Sequence, residues 1–108
     1  MKYDKSLISG TTKMLVMSLI DSGDKYGYEI IRELEQKSYG AFKLKEGTLY
    51  PILKCLEKDD MVKSFSFKME NNRVRKYYKL TQKGRAFLFS KKNEWSEFSS
   101  KINLVIGN

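Results

Sequence analysis

The chain has 108 residues, of which 41% are apolar and 31% are charged, a balance typical of one soluble globular domain and not of a disordered segment. Its 21 Lys and Arg residues outnumber its 13 Asp and Glu residues, and the net charge of +8 favours a polyanionic partner. A single cysteine excludes an intrachain disulfide, and the apolar run at residues 14–20 is too short to cross a bilayer, so we expect a cytoplasmic protein with no membrane partner.

The first predicted element is a helix over residues 5–22. Nearly every residue from 14 to 20 is apolar, so this helix is expected to be buried on more than one side. In so small a domain, that predicts one face on the core and another on a partner subunit. Residues 21–24 read as a turn, with Gly23 as the residue that stops the helix.

Two more helices are predicted in the first half of the chain. One covers residues 26–38 and is broken by Tyr39 and Gly40; after a short extended piece at 41–44, the next begins at residues 46–48. Apolar residues on this third helix recur at the spacing of one buried face, at Leu49, Ile52, Leu53 and Leu56. The opposite face is mostly polar or basic and carries Thr48, Tyr50, Pro51, Lys54 and Lys58.

The period of the pattern then changes from that of a helix to that of a strand. Residues 61–69 alternate, residues 70–72 form a turn in which Asn tolerates a positive φ, and residues 73–80 alternate again. These segments predict a two-stranded hairpin with a basic face. Between Glu70 and Arg85 there are six basic residues and only one acid, which is the electrostatic footprint of a nucleic-acid contact.

Thr81 is a suitable N-cap for a last helix over residues 82–105. Side chains separated by alternating steps of three and four predict a helix seam along it, namely Leu88, Lys91, Trp95, Phe98, Ile102 and Val105. The predicted fold is therefore mainly α with a small β-hairpin (α+β). It is a winged helix-turn-helix DNA-binding domain at residues 1–80, followed by a C-terminal dimerisation helix at 81–108, in one compact unit that forms a homodimer.

A helix followed at once by a basic hairpin predicts that the third helix enters the major groove of double-stranded DNA. The candidate DNA contacts are Thr48, Tyr50, Pro51, Lys54, Arg73, Arg75, Lys76 and Tyr77. Thr48 has a second interpretation, because a threonine near a helix start can act only as a cap. None of these side chains identifies a base, so the operator sequence does not follow from them.

Several segments now carry a family resemblance. They are Tyr26-Gly-Tyr-Glu-Ile30, Gly47-Thr-Leu-Tyr-Pro-Ile-Leu53, Leu56-Glu57 and Arg75-Lys-Tyr-Tyr-Lys-Leu-Thr-Gln-Lys-Gly84. In this order and over nearly the whole chain, they resemble the PadR family of bacterial transcriptional regulators. The resemblance implies a winged-helix repressor that dimerises through its C-terminal helix and releases DNA when a small-molecule effector binds. A single helix after the hairpin is similar to the compact branch of that family.

The same resemblance gives Trp95 two possible roles. In some compact members, a tryptophan at the matching place stacks planar aromatic ligands at the dimer interface. The candidate pocket or interface residues here are Met14, Met17, Leu88, Trp95, Phe98 and Ile102. Alternatively, Trp95 only packs as interface core, as aromatic residues in a helix seam commonly do. Ser99 stands where an acidic residue would attract cations, which disfavours cationic drugs.

Other functions find less support in the sequence. Without histidine, a Gly-rich phosphate loop or paired carboxylates at a readable spacing, we expect no enzyme, no catalytic or metal site and no cofactor. The alternative to a DNA-binding regulator is a winged-helix adaptor that binds proteins and has no sequence-specific DNA binding. Cys55, next to core positions of the third helix, is expected to be a buried small side chain.

Overall fold

The computed structural model describes residues 3–107; the predicted domains also include residues 1, 2 and 108, which lie outside this part. In chain order the elements are α1 (Lys5–Ile8), α2 (Thr12–Asp21), β1 (Lys25–Tyr26), α3 (Gly27–Lys37), α4 (Glu46–Lys58), β2 (Val62–Lys68), β3 (Val74–Leu80) and α5 (Gln82–Ile106). The strands form an antiparallel sheet in the order β1-β3-β2. The predicted winged helix-turn-helix with a long C-terminal helix is confirmed. Among the helices described, none combines the length and apolar character needed to cross a membrane.

The first predicted helix is in fact two helices, so the continuous helix over residues 5–22 was wrong. The chain breaks at Ser9 and Gly10, where glycine disfavours a helix interior by about 1 kcal/mol. The hydroxyl groups of Thr11 and Thr12 then donate to the carbonyl oxygen of Ile8, at 2.8 and 3.2 Å, and so satisfy the end of α1. Hydroxyl groups near a helix end compete in this way with continuation of the helix.

The sheet has a third strand that the sequence pattern did not predict. The short strand β1 pairs with β3, so that Lys25 is opposite Tyr78 and Tyr26 is opposite Tyr77. Lys25 is buried there, and its ammonium group lies 3.4 Å from the carboxylate of Glu33 on α3. A strand of two residues is too short to show an alternating pattern, which is why it escaped prediction.

The core lies between the helices and one face of the sheet. Its fully buried members come from α2, α3, α4 and β2 and include Val16, Met17, Ile30, Leu49, Leu53, Leu56 and Val62. From α5 only Leu88 is a buried hydrophobic residue, near the start of the helix. The remaining helical turns of α5 extend past the core, and with 25 residues the helix is about 37 Å long.

Two turns adopt backbone conformations that explain their residues. Tyr39 and Gly40, which follow α3, have φ angles of 52° and 79°, and they reverse the chain toward α4. At the tip of the β2–β3 hairpin, which we call the wing, Asn72 has a φ angle of 65°. Glycine and asparagine are the residues that adopt this left-handed region most readily, so the predicted helix break and hairpin turn both have a backbone cause.

Candidate nucleic-acid interface and ligand groove

The orientation of α4 is set by its buried leucines. Leu49, Leu53 and Leu56 are completely buried, so the opposite side of the helix faces solvent. On that exposed side lie Thr48, Tyr50, Pro51 and Lys54. The N-cap position belongs to Lys45, which precedes Thr48 by three residues, so the alternative interpretation of Thr48 as the cap is wrong.

Tyr50 has a structural contact that the sequence pattern did not reveal. Its ring lies against the first turn of α3, so close to Gly27 that a Cβ atom at Gly27 would overlap the phenol oxygen and lie 2.9 Å from the adjacent ring carbon. Tyr50 is still 44% exposed. Glycine at position 27 therefore lets α3 and the exposed face of α4 approach each other, and it joins two of the segments that carry the family resemblance.

The candidate residues of the wing do not share one surface. Along β3 the side chains alternate, and Tyr78 is buried on the core side. Lys76 lies on that same side, with its ammonium group 3.7 Å from the carboxylate of Glu57 on α4. Arg75 and Tyr77 lie on the opposite side, where the Arg75 guanidinium stands 4.3 Å from the centre of the Tyr26 ring.

Glu57 connects α4 to both strands of the wing. Besides facing Lys76, its carboxylate accepts a hydrogen bond of 2.8 Å from the hydroxyl group of Ser64 on β2. The network offsets part of the Lys76 charge, which makes Lys76 a weaker candidate for a phosphate contact than a free lysine. Arg73, by contrast, is exposed beside the wing turn, where its backbone N–H donates to the Asn71 side chain.

Tyr78 lies next to Lys76 and Glu57 and has a raised pKa. Burial raises the pKa of Tyr78 above its ordinary value of 10.0, while the nearby Lys76 ammonium lowers it and the charge of Glu57 raises it. Burial dominates because the ionised phenolate would lose its hydration. Tyr78 is therefore a core residue whose neutral form the fold favours.

A groove of about 820 Å³ runs along α5 between that helix, α2 and the segment that contains α1. It is lined by all six residues predicted for an effector pocket or interface, namely Met14, Met17, Leu88, Trp95, Phe98 and Ile102. Met17 and Leu88 form its buried floor, whereas Trp95 is 48% exposed. The structure thus places at one groove six candidate residues that lie far apart in the chain.

The groove also contains aromatic residues that sequence reasoning missed. They are Tyr3, Phe42 and Phe87. Phe87 lies one helical turn before Lys91, a spacing that extends the predicted seam and could have identified it. Phe42 lies in the turn between α3 and α4, where no periodic pattern exists to indicate its direction.

The charged residues of the groove are mainly cationic. The ammonium groups of Lys13 and Lys91 lie 6.0 and 5.6 Å from the centre of the Phe87 ring. Glu94 lines the same groove, but its carboxylate is 3.0 Å from the Lys91 ammonium group. The acid is therefore paired, and the surroundings of Phe87 are unfavourable for a cationic ligand.

The outer half of α5 exposes a continuous apolar stripe that begins within the groove and extends past it. Phe98, Ile102 and Val105 are 62%, 41% and 86% exposed, although they repeat at the spacing of a helix seam. An uncovered stripe of this kind is typical of an interface between chains.

Cys55 is exposed, which contradicts the prediction that it is buried. The neighbouring leucines at 53 and 56 point into the core. Because successive residues of a helix are rotated by about 100°, Cys55 between them faces solvent. Its thiol lies 3.8 Å from the carboxylate of Asp59. Within residues 3–107 there is no cluster of three potential metal ligands.

Comparison with known proteins gives a consistent result. A family model described as the transcriptional regulator PadR-like family matches residues 16–90, which include α3, α4, both strands of the wing and the start of α5. An uncharacterised protein from Lysinibacillus sphaericus is 34% identical over 100 residues, which cover 93% of this chain and 92% of that protein.

Solved structures resemble the whole architecture. A transcriptional regulator from Clostridium thermocellum matches with a TM-score of 0.83 and 34% identity, over 91% of this chain and 95% of that one. A PadR family transcription regulator from Clostridium difficile matches with a TM-score of 0.76 and 35% identity, over 90% of this chain and 99% of that one. The similarity therefore extends from the winged helix domain into α5.

Proposed function

Because the chain belongs to the PadR-like family of transcriptional regulators, we propose that it is a homodimeric repressor that leaves its operator when a planar aromatic molecule binds. Regulators of this family bind DNA, and the prediction that the chain is not an enzyme is confirmed by the family and by the neighbouring structures. Residues 1–80 form the proposed DNA-binding part and residues 81–108 the proposed dimerisation helix.

The observation that carries the proposed DNA contact is the exposed polar face of α4 beside a basic wing. We assign the duplex contacts to Thr48, Tyr50, Pro51 and Lys54 on α4, together with Arg73 at the wing turn. These side chains are exposed. Thr48, Tyr50 and Pro51 lie in the first two turns of α4, whose other face is anchored in the core, and Lys54 lies one turn further along it. In helix-turn-helix proteins, the N-terminal residues of the second helix reach base edges in the major groove.

A salt titration tests this assignment. Duplex fragments that the protein selects from a genomic pool should bind with an affinity that falls by about 0.9 log unit per contacted phosphate for each tenfold rise in salt. Unrelated duplexes of equal length should bind more weakly at every salt concentration. Equal affinity for both sets, or no affinity at low salt, would favour the protein-binding adaptor instead.

The proposed effector site is the groove around Trp95. It is supported by its size, by its aromatic lining and by the adaptable methionine side chains of α2. The acid within it, Glu94, is paired with Lys91, so we expect a neutral or anionic planar molecule and not a cationic one.

Tryptophan fluorescence tests the groove directly, because Trp95 is the only tryptophan of the chain. Acridone and proflavine are matched probes, since both are planar and tricyclic but only proflavine is cationic at neutral pH. Acridone should quench the Trp95 emission and weaken binding to the selected duplex. Proflavine should quench the emission less, and the two probes are compared by quenching alone because proflavine intercalates into duplex DNA. Quenching without any change in DNA binding would show a ligand beside Trp95 that does not control the operator, and would contradict the effector role; an absence of quenching would leave Trp95 as a packing residue.

A further inference from the structure

The sheet packs one face against the core through Val62, Tyr78 and Leu80, and within residues 3–107 its other face is largely exposed. This other face consists of alternate residues of the three strands, namely Tyr26, Lys63, Phe65, Phe67, Arg75, Tyr77 and Lys79, and we call it the outer sheet face. The strand register places its members directly opposite each other, as the pairs Lys63–Lys79, Phe65–Tyr77 and Phe67–Arg75. Tyr26 continues the middle row on β1, opposite Tyr77.

Aromatic rings form the centre of this face. Phe65 and Tyr77 are stacked, with ring centres 5.7 Å apart and an angle of 17° between their planes. Phe67 and Tyr26 meet Tyr77 edge to face, at 6.0 and 5.4 Å. Phe65 and Phe67 remain 41% and 53% exposed, so the rings present free surface to a partner. Clustered apolar exposure on a small domain marks an interaction site more often than single exposed residues do.

The charges around the rings favour an anionic partner. Lys63 and Lys79 are direct cross-strand neighbours, an arrangement that destabilises a sheet unless an anion binds there. Within residues 3–107, none of Lys63, Lys79 and Arg75 forms an ion pair with an acid. The guanidinium of Arg75 lies over the Tyr26 ring, which leaves its edge free to donate hydrogen bonds.

One acid distinguishes between the classes of anion. Asp24 lines a shallow depression of about 190 Å³ together with Phe65, Phe67 and Tyr77. A carboxylate at this place repels an acidic peptide, but it can accept hydrogen bonds from the amino group of a nucleobase. Exposed aromatic rings combined with cations and a hydrogen-bond acceptor correspond to the way proteins hold unpaired bases.

We propose that the outer sheet face binds single-stranded DNA, with bases stacked on Phe65 and Phe67, phosphates beside Lys63, Lys79 and Arg75, and a base amino group at Asp24. This surface is separate from the exposed face of α4, since the two lie on opposite sides of the sheet. The protein would then hold a duplex and an unpaired strand at different places. The assignment does not depend on the repressor or the effector role.

Fluorescence anisotropy with a short, dye-labelled oligodeoxycytidylate tests the proposal on the full chain. Phe65→Thr and Phe67→Thr keep the net charge and a strand-forming residue, and each should weaken binding of this strand by about tenfold or more, the effect of losing one stacking ring. Phe89→Thr is the matched control, because Phe89 is 69% exposed on α5, away from the sheet. Unchanged far-UV circular dichroism and unfolding midpoints establish that all three variants fold.

A second comparison separates this proposal from duplex binding. Phe67→Thr should keep its affinity for the selected duplex, and Lys54→Ala should lose duplex affinity while it still binds the single strand. Equal single-strand affinity in Phe67→Thr, Phe89→Thr and the unmodified protein would overturn the proposal. Competition between polyglutamate and the labelled oligonucleotide gives a second check. If polyglutamate displaces the oligonucleotide as effectively as an unlabelled oligodeoxycytidylate does, the proposal is overturned, because a charged surface without base recognition would then suffice.

Discussion

At the scale of single residues, Gly84 is the residue whose replacement has the clearest cost. It lies in the first turn of α5, where a Cβ atom would overlap the carbonyl oxygen of Met61 and lie 3.0 Å from its carbonyl carbon. The neighbouring Thr81 hydroxyl caps the helix by accepting the Gly84 N–H, and Thr81 is bonded to the same Met61 carbonyl through its backbone N–H. The start of α5 is thus pressed onto the turn that ends α4.

We predict that Gly84→Ala lowers the free energy of unfolding by about 1–3 kcal/mol, because backbone atoms and not a flexible side chain must move. Urea unfolding followed by circular dichroism measures the change. Gly47→Ala is the control: it lies in the first turn of α4 with open space around it, so its stability should not fall. Equal stability of the two variants would show that α5 can shift at no cost.

Tyr78 predicts how stability depends on alkaline pH. Burial raises its pKa in the folded state above 10.0, so between that value and the folded pKa the unfolded chain releases a proton that the folded chain keeps. The contribution of Tyr78 is therefore complete below pH 10.0 and is lost as the pH rises above it. We expect Tyr78→Phe to lose less stability than the unmodified protein over this alkaline range.

The measurement is the urea midpoint at a series of pH values. Tyr39→Phe serves as the control, because Tyr39 is 98% exposed and its replacement should leave the alkaline loss as it is. An identical alkaline loss in both variants would contradict a role for Tyr78 and assign the effect to other groups.

At the scale of elements, the network around Glu57 separates the cations of the wing into two kinds. Within residues 3–107, Arg73 at the wing turn forms no ion pair with an acid, whereas the Lys76 ammonium group lies beside the Glu57 carboxylate. We predict that Arg73→Ala reduces the slope of log affinity against log salt by about one, as expected for one phosphate contact, and that Lys76→Ala reduces it less. Salt titrations with the selected duplex give both slopes.

The free energy of unfolding should differ little between Arg73→Ala and Lys76→Ala. The Lys76 side chain is more than half exposed, and ion pairs in such positions contribute little to folding. If Lys76→Ala lowers the salt slope as much as Arg73→Ala does, then Lys76 leaves Glu57 when DNA binds, and Glu57 does not restrain it.

Elements long enough for their hydrophobic pattern to repeat several times were predictable from the sequence, and short elements were not. The positions of α4 and α5 follow from apolar residues repeated over several turns, and the hairpin follows from its alternation and its asparagine turn. The strand β1 and the break at Gly10 involve too few residues to form a pattern. The strand β1 depends on a contact between distant segments, Tyr26 with Tyr77, and the break at Gly10 depends on local hydrogen bonds from the hydroxyl groups of Thr11 and Thr12 to the Ile8 carbonyl.

The candidate sites show the same division. The six groove residues became candidates because the family resemblance singled out Trp95, and the seam of the last helix and the apolar run at residues 14–20 supplied its neighbours; Phe42 was missed because it lies in an irregular turn. The wing candidates were chosen from the charge of the hairpin and from its alternation, and neither reveals that Lys76 lies beside Glu57 of α4. The exposure of Cys55 could not be predicted, because it depends on the rotation of α4 about its own axis relative to the core.

At the scale of the whole molecule, the stripe on the outer half of α5 predicts how the protein assembles. Ile102 lies within the stripe and Leu104 lies on the other side of the helix, yet both are exposed in the single chain. We predict that Ile102→Asp converts the proposed dimer into a monomer, because it would bury a charge at the proposed interface, and that Leu104→Asp does not. Sedimentation velocity at several concentrations distinguishes the two.

The opposite result with these two variants would change the location of the interface. A dimer that survives Ile102→Asp but not Leu104→Asp would place the interface on the opposite side of α5 and would leave Trp95 outside it. The outer sheet face is on another part of the molecule, so neither variant should change its exposure.

Phe42 belongs to the segment that joins α3 to α4 and sets the position of α4, and it lines the same groove as Trp95. If a molecule in the groove displaces Phe42, the two binding equilibria share one free energy of coupling. Thermodynamic reciprocity then requires that the operator weaken the affinity for that molecule by the same factor by which the molecule weakens the affinity for the operator. Protein free of DNA would thus capture the signal first, and abundant non-specific DNA would raise the concentration of signal needed for a response.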